Sequence, residues 1–274
     1  MKTNSTLRSR VIRLIQQKQP FLGDCISGLR MYRHTKICHS RDQNIFAKAF
    51  FVNGLPHVIS GPFSGMCYEN RTYFGPVTPR WIGSYEKELH PIVDQIKNLS
   101  PDCIVDIGAA EGYYSIGLAR MFPKVNVFSY ETNPLSLWQQ SRLRRLNKAS
   151  NLTIRRYCSQ KQLCKHGSNR CFILSDIEGC EADLFSAEVV SHLTTSFVLI
   201  ELHSYGSLDV NSVETLLRKR FEFSHHISYI TPTQRTLKDV NISYPTTFDA
   251  EMVVFAMQEF RSQPQRWMYC TPIE

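Results

Sequence analysis

From residue 103 onward, short apolar runs alternate with stretches whose apolar residues return every third or fourth position. The runs at 103–107, 125–130, 152–157, 171–175, 197–202, 223–230 and 250–257 predict strands. Helical spacing covers 113–121, 134–147, 180–191 and 210–219, and Thr132-Asn133-Pro134 supplies a cap with proline at the first helical position. Strands alternating with helices predict a mostly parallel, seven-stranded sheet with helices on both faces. No long helix separates the last two strands, so they are expected to pair antiparallel.

Ahead of this core the pattern is less regular. Leu7, Val11, Leu14 and Ile15 recur at helical spacing opposite arginines, which predicts a basic amphipathic helix over 5–18. Ile45 to Val52 reads as a strand, Asn53-Gly54 as a type I′ turn, and His57 to Ser60 as the return strand. Glycines and prolines between Gly61 and Pro79 mark an irregular loop. Tyr85, Leu89, Ile92, Val93, Ile96 and Leu99 then line one helix face after Ser84, and Pro91 must kink that helix or begin it anew. The expected organisation is an N-terminal extension (1–82), a core domain (83–260) and a C-terminal tail (261–274).

Composition narrows the class. The 274 residues are 42% hydrophobic, ordinary for a chain with a real core. No window reaches the roughly 20 apolar residues that a membrane span needs. Arg8, Arg10 and Arg13 are followed by no apolar signal core, so a cytoplasmic location is expected. The nine cysteines are irregularly spaced. Cys158, Cys164, Cys171 and Cys180 do not follow zinc-module spacing, nor do His34, Cys38 and His39, so buried free thiols are expected.

The net charge of +8 is concentrated. From Thr132 to Ser175 there is no Asp or Glu, while Arg142, Arg144, Arg145, Lys148, Arg155, Arg156, Lys161, Lys165 and Arg170 fall inside the stretch. Such a segment either draws an anionic partner or is a solvated face that protects a sheet edge.

The most informative chemistry lies at the first core strand. Cys103 to Ile107 carries Asp106 and turns through Gly108, Ala110 and Gly112, and the next strand ends in Glu131. Such an arrangement holds an adenosine-containing cofactor: the turn brings bare backbone close and the second acid takes the ribose hydroxyls. A dinucleotide fingerprint would need a third glycine where Tyr113 stands. Asp106-x-Gly108-x-Ala110-x-Gly112 instead resembles the acidic-x-G-x-G-x-G turn of class I S-adenosylmethionine (AdoMet) methyltransferases, with Ala for the middle glycine. AdoMet carries an ammonium and no phosphate, which suits Asp106.

Ligands of open parallel sheets lie beyond the C-terminal strand ends. Those ends deliver Asp106 and Gly108, then Glu131, then Cys158 and Ser159, then Asp176-Ile177-Glu178-Gly179-Cys180-Glu181, and finally Glu201-Leu202-His203. The blocks Val105 to Ser115, Tyr130 to Pro134, Asp176 to Glu181 and Ile200 to His203 resemble the FkbM-like methyltransferases. Gly61-Pro62-Phe63-Ser64-Gly65-Met66 and Gly83 to Leu89 are similar to upstream blocks of some members. Ala110 and Thr132 depart from the family's usual Asn and Pro, and Ser175 and Leu174 from its usual aliphatic residue and Lys, but no carboxylate is lost.

The resemblance implies a Rossmann-like class I fold and AdoMet bound by Asp106, Gly108, Ala110, Gly112, Glu131, Ser159 and Asp176. It further implies methylation of a hydroxyl on a sugar or small molecule. Proton removal falls to Asp176, Glu178 and His203, with His203 favoured by its near-neutral pKa and the two acids by position. No metal site is expected; the same three residues as ligands of a divalent ion form the alternative. The fold further implies that the third strand is outermost, with Arg142, Arg145, Arg155 and Arg156 on an exposed face.

Two rival functions are an RNA methyltransferase using the basic 142–170 segment and a regulatory module that binds AdoMet without turnover. Against the RNA reading, no aromatic residues are expected among the basic ones to stack on bases.

Overall fold

The computed structural model describes residues 51–52, 55–70, 72, 75–167, 169–239, 250–261 and 265–273. The expected helix at 5–18 and the His34, Cys38 and His39 group lie outside them. β1 (Phe51–Val52) and β2 (Leu55–Pro56) pair antiparallel as a hairpin. The return strand is Leu55–Pro56 and not His57 to Ser60 as the sequence suggests, because His57 bridges instead to Cys67.

The main sheet has seven strands: β3 (Cys103–Ile107), β4 (Asn126–Tyr130), β5 (Leu152–Arg155), β6 (Cys171–Ser175), β7 (Phe197–Glu201), β8 (His225–Ile230) and β9 (Trp267–Pro272). Their order is β5-β4-β3-β6-β7-β9-β8. All neighbours are parallel except β9, which runs antiparallel to both β7 and β8. This is the mostly parallel, seven-stranded Rossmann-like sheet that the sequence predicts. β3, β6 and β7 are buried along their whole length, as central strands covered on both faces must be. Alternate residues feed two cores: Ile104, Phe172 and Leu199 one face, Val105, Ile173 and Val198 the other.

Among the described residues the α-helices are α1 (Thr78–Ile82), α2 (His90–Leu99), α3 (Tyr113–Met121), α4 (Pro134–Leu146), α5 (Gln160–Gly167), α6 (Glu181–Leu184), α7 (Ala187–Ser191), α8 (Val210–Phe221) and α9 (Ala250–Ala256). Pro91 occupies the first turn of α2, so the pattern from Tyr85 does begin anew there. Asn133 caps α4 by accepting from Leu135 N at 2.9 Å, as its sequence predicts.

Three expectations are corrected. Residues 250–256 are helical, and the seventh strand comes from Trp267–Pro272, inside the segment read as a tail. The expected helix at 180–191 is two short ones, because Ser186 starts a new cap by accepting from Val189 N. Cys103 and Cys171 are not free thiols but a disulfide. They sit opposite one another in adjacent parallel strands, 4.9 Å apart at Cα, which is within bonding range.

The segment before the core packs into it. Val58, Phe63, Met66 and Tyr68 are buried with Trp81, Tyr113 and Tyr114 in the same apolar cluster as Ile104 and Phe172. Among the described residues, no helix is long and apolar enough to cross a membrane.

Candidate functional site

The C-terminal ends of four neighbouring parallel strands converge on one place. β3 carries Asp106 one residue before its end, β4 is followed at once by Glu131, and β6 by Asp176. β7 ends on Glu201, two residues before His203. The sheet thus brings together all the acids that the sequence nominates.

Asp106 is buried, and Ser115 Oγ donates to its Oδ2. Its Oδ1 is buried with no hydrogen-bond partner among the described residues. Burial pushes its pKa up to about 7, against the Ser115 hydrogen bonds. An orphaned carboxylate oxygen under a bare turn fits a cationic ligand group. The turn itself is tight. Gly108 has φ +81°, and a Cβ built on it would come 1.7 Å from the Asp176 carbonyl oxygen. Ala110 has φ +45°, the left-handed region that a side chain adopts at a cost of about 1 kcal/mol.

Glu131 is locked onto that turn. Its Oε2 accepts from Ala110 N at 2.8 Å and its Oε1 from Asn133 N at 2.7 Å. Burial pushes its pKa up to about 7, although the backbone donors favour the charged form. Each oxygen keeps a lone pair for a ligand hydroxyl. Gln140 closes the far side, donating to Ala110 O at 2.6 Å. Ser159, the other nominated cofactor residue, uses its hydroxyl to accept from Gln162 N at 3.2 Å and so caps α5.

At the next two strand ends the acids crowd. Burial and the Glu178 carboxylate push Asp176 up to about 7. Glu201 is raised far above the carboxylate range by burial and by Asp176, with which it shares a hydrogen bond; Arg261 opposes this only in part. His203 Nδ1 lies 2.8 Å from Glu181 Oε1. Its Nε2 faces Asp176 Oδ1 and Glu178 Oε2, each at 3.7 Å. Burial lowers the His203 pKa, but the Glu181 hydrogen bond and the surrounding carboxylates outweigh it, and the net shift is upward.

Several supporting residues escape the sequence reading. Glu181 is completely buried and holds His203 rather than merely capping α6. Arg261, beyond α9, pairs with Glu201 at 3.1 Å, Glu259 at 2.8 Å and Glu86. Glu111 in the glycine turn faces away to Arg80 (3.3 Å) and to the Tyr68 hydroxyl (3.0 Å). The one available signal was the Gly83 to Leu89 block, whose Glu86 and Tyr85 meet Arg261.

The basic segment lies at the sheet edge, with β5 outermost as expected. Arg142 does not share the exposed face, because it pairs with Glu69. Arg144, Arg155 and Arg156 line a groove of about 560 Å³ with Leu137, Ser141 and Thr153. Two aromatics close to them in sequence are exposed, against expectation: Trp138 is 59% exposed and Tyr157 71%, although neither lines the groove.

No protein-family model and no curated protein matches the chain by sequence. Among solved structures it is similar to an rRNA methylase from Streptococcus thermophilus, with 9% identity, TM-score 0.45, and 68% of this chain and 97% of that one covered. It is similar to precorrin-6y C5,15-methyltransferase from Geobacter metallireducens at 14% identity and TM-score 0.42, covering 65% and 87%. It is also similar to the N-terminal domain of EvdMO1 in the presence of SAH and D-fucose, at 13% identity and TM-score 0.42, covering 70% and 85%.

Proposed function

We propose that the chain is an AdoMet-dependent methyltransferase of the FkbM-like kind that methylates a hydroxyl on a sugar or small-molecule acceptor. The observation that carries this reading is the orphaned Asp106 carboxylate oxygen beneath a turn whose Ala110 is hydrogen-bonded to Glu131. Asp106 takes the ammonium end, directly or through water, Gly108 to Gly112 give close backbone approach, and Glu131 takes the ribose hydroxyls. When bound, AdoMet supplies an electrophilic methyl group on a sulfonium. Positioning of the acceptor against that methyl does much of the catalysis. Asp176, Glu178 and His203 stand where the acceptor hydroxyl must arrive, and they bring about loss of its proton.

The test of the cofactor assignment is Glu131→Ala. Two hydroxyl-to-carboxylate bonds contribute about 2–3 kcal/mol, so AdoMet should bind tens-fold more weakly by calorimetry. Unchanged affinity, or NADH binding more tightly than AdoMet to the parent, overturns the assignment.

Trp138 and Tyr157, exposed and close in sequence to the edge arginines, favour one second reading, an RNA acceptor docked on that sheet edge. Reversing Arg155 and Arg156 to Glu is expected to raise the acceptor KM and flatten its salt dependence with little change in kcat. Acceptor KM measured against ionic strength decides it: matching curves for variant and parent leave the groove as a solvated, edge-protecting face.

A further inference from the structure

We propose that Asp176, Glu178 and His203 form a binding site for a divalent cation. The argument begins at the fully buried Glu181, whose Oε1 lies 2.8 Å from His203 Nδ1. A carboxylate only accepts, so Nδ1 carries the hydrogen, and a cation that takes the place of the Nε2 proton would meet the Nε2 lone pair on the other side. That lone pair faces Asp176 Oδ1 and Glu178 Oε2, both at 3.7 Å. The separation is too long for hydrogen bonds, so neither carboxylate satisfies Nε2 directly. Nε2 and Oδ1 are each buried atoms without a hydrogen-bond partner among the described residues. All three donor atoms lie within 4.8 Å of one another.

Those spacings suit a shared ion. Donors 3.7 Å apart, each bound at the usual roughly 2.0–2.2 Å, subtend about 120° at the metal, near the angles of a three-protein-ligand site with an open position. Glu181 behind His203 supplies the carboxylate that orients metal-bound imidazoles. One nitrogen and two carboxylate oxygens select a borderline ion such as Mn²⁺, Fe²⁺ or Zn²⁺ over Ca²⁺ or Mg²⁺, which take oxygen alone. The catalytic consequence rests on the methyltransferase reading; the binding itself does not. An ion at this position draws the acceptor oxygen into its open position and lowers the pKa of the hydroxyl, whose proton passes to solvent as the new C–O bond forms and the C–S pair stays on sulfur.

The experiment uses Mn²⁺ with the full chain after EDTA treatment, followed by loss of the free-ion signal in electron paramagnetic resonance. One saturable site per chain is expected, abolished by His203→Ala and weakened at least about 10-fold by Glu178→Gln. Glu178 has an 80% exposed side chain, so its variant tests the site without endangering the fold. No saturable binding, or binding unchanged in both variants, overturns the proposal. Calorimetric AdoMet titration of the same metal-free protein separates the two readings. AdoMet binding without Mn²⁺ binding removes the cation site and leaves the methyltransferase standing. Mn²⁺ binding without AdoMet binding upholds the site and removes the methyltransferase reading.

Discussion

Asp176→Asn, or His203→Ala, is expected to lower turnover at least about 100-fold while AdoMet affinity stays within a few-fold. A hundred-fold loss corresponds to about 2.7 kcal/mol of transition-state stabilisation, the size expected when the group handling a hydroxyl proton is removed. Asp176 sits between the Glu201 carboxyl and the His203 ring, and the buried Glu201 carboxyl beside it pushes the pair's proton affinity up. Asn keeps its shape but not its charge. His203→Ala removes the partner of the buried Glu181 carboxylate, leaving Gly179 N at 3.3 Å as a donor to it. That variant should therefore also lose roughly 1–3 kcal/mol of stability. Rates must be compared on folded protein well below the melting point of each variant. If both variants keep parental rates on the true acceptor, the catalytic assignment is wrong. A parent that binds AdoMet, methylates nothing across sugars, small hydroxyl compounds and RNA, and is indifferent to the loss of His203 is instead a regulatory module.

The sheet from β3 to β8 was legible because buried parallel strands leave unambiguous marks. Cys103 to Ile107, Cys171 to Ser175 and Phe197 to Glu201 are short apolar runs, each with an acid at its last position or one residue before or after it. What failed was the choice between two apolar runs near the C-terminus. Residues 250–257 are rich in β-branched and aromatic residues but wind into α9, while Trp267–Pro272 takes the place between β7 and β8. A run of that length has no period to separate strand from helix, and only the antiparallel register against Val198 to Glu201 decides it. The proposed cofactor residues were read from local spacing, since Asp106, Gly108 and Glu131 lie on one strand–turn–helix–strand unit. The residues behind them were not legible, because their contacts join distant segments. Arg261 reaches Glu86 from 175 positions away, Glu181 reaches His203 from 22, and the Cys103–Cys171 bridge spans 68.

Gly108→Ala is expected to cost the most stability of any single methyl added to the glycine turn. Two penalties coincide there. The backbone at φ +81° is strained for any side chain, which costs about 1 kcal/mol. The new Cβ would also stand 1.7 Å from the Asp176 carbonyl oxygen and 3.2 Å from Ile177 Cγ2. The first of these is backbone, and it cannot swing aside, because Asp176 N is hydrogen-bonded to Ile107 O at 2.9 Å. Relief requires the 176–180 loop to move away from β3, which adds roughly 3 kcal/mol of overpacking. The sum, about 4 kcal/mol, lowers Tm by roughly 10 °C in a domain of this size. Gly206→Ala is the internal control, since its φ of +58° carries the strain while its Cβ would meet nothing within 4 Å. It should melt within about 4 °C of the parent. Because the displaced loop carries Asp176 and Glu178, the Gly108 variant should also lose turnover at temperatures where it is fully folded. Thermal melts of the two variants side by side decide the matter: if Gly108→Ala melts no lower than Gly206→Ala, the close approach between the glycine turn and the 176–180 loop does not govern this site.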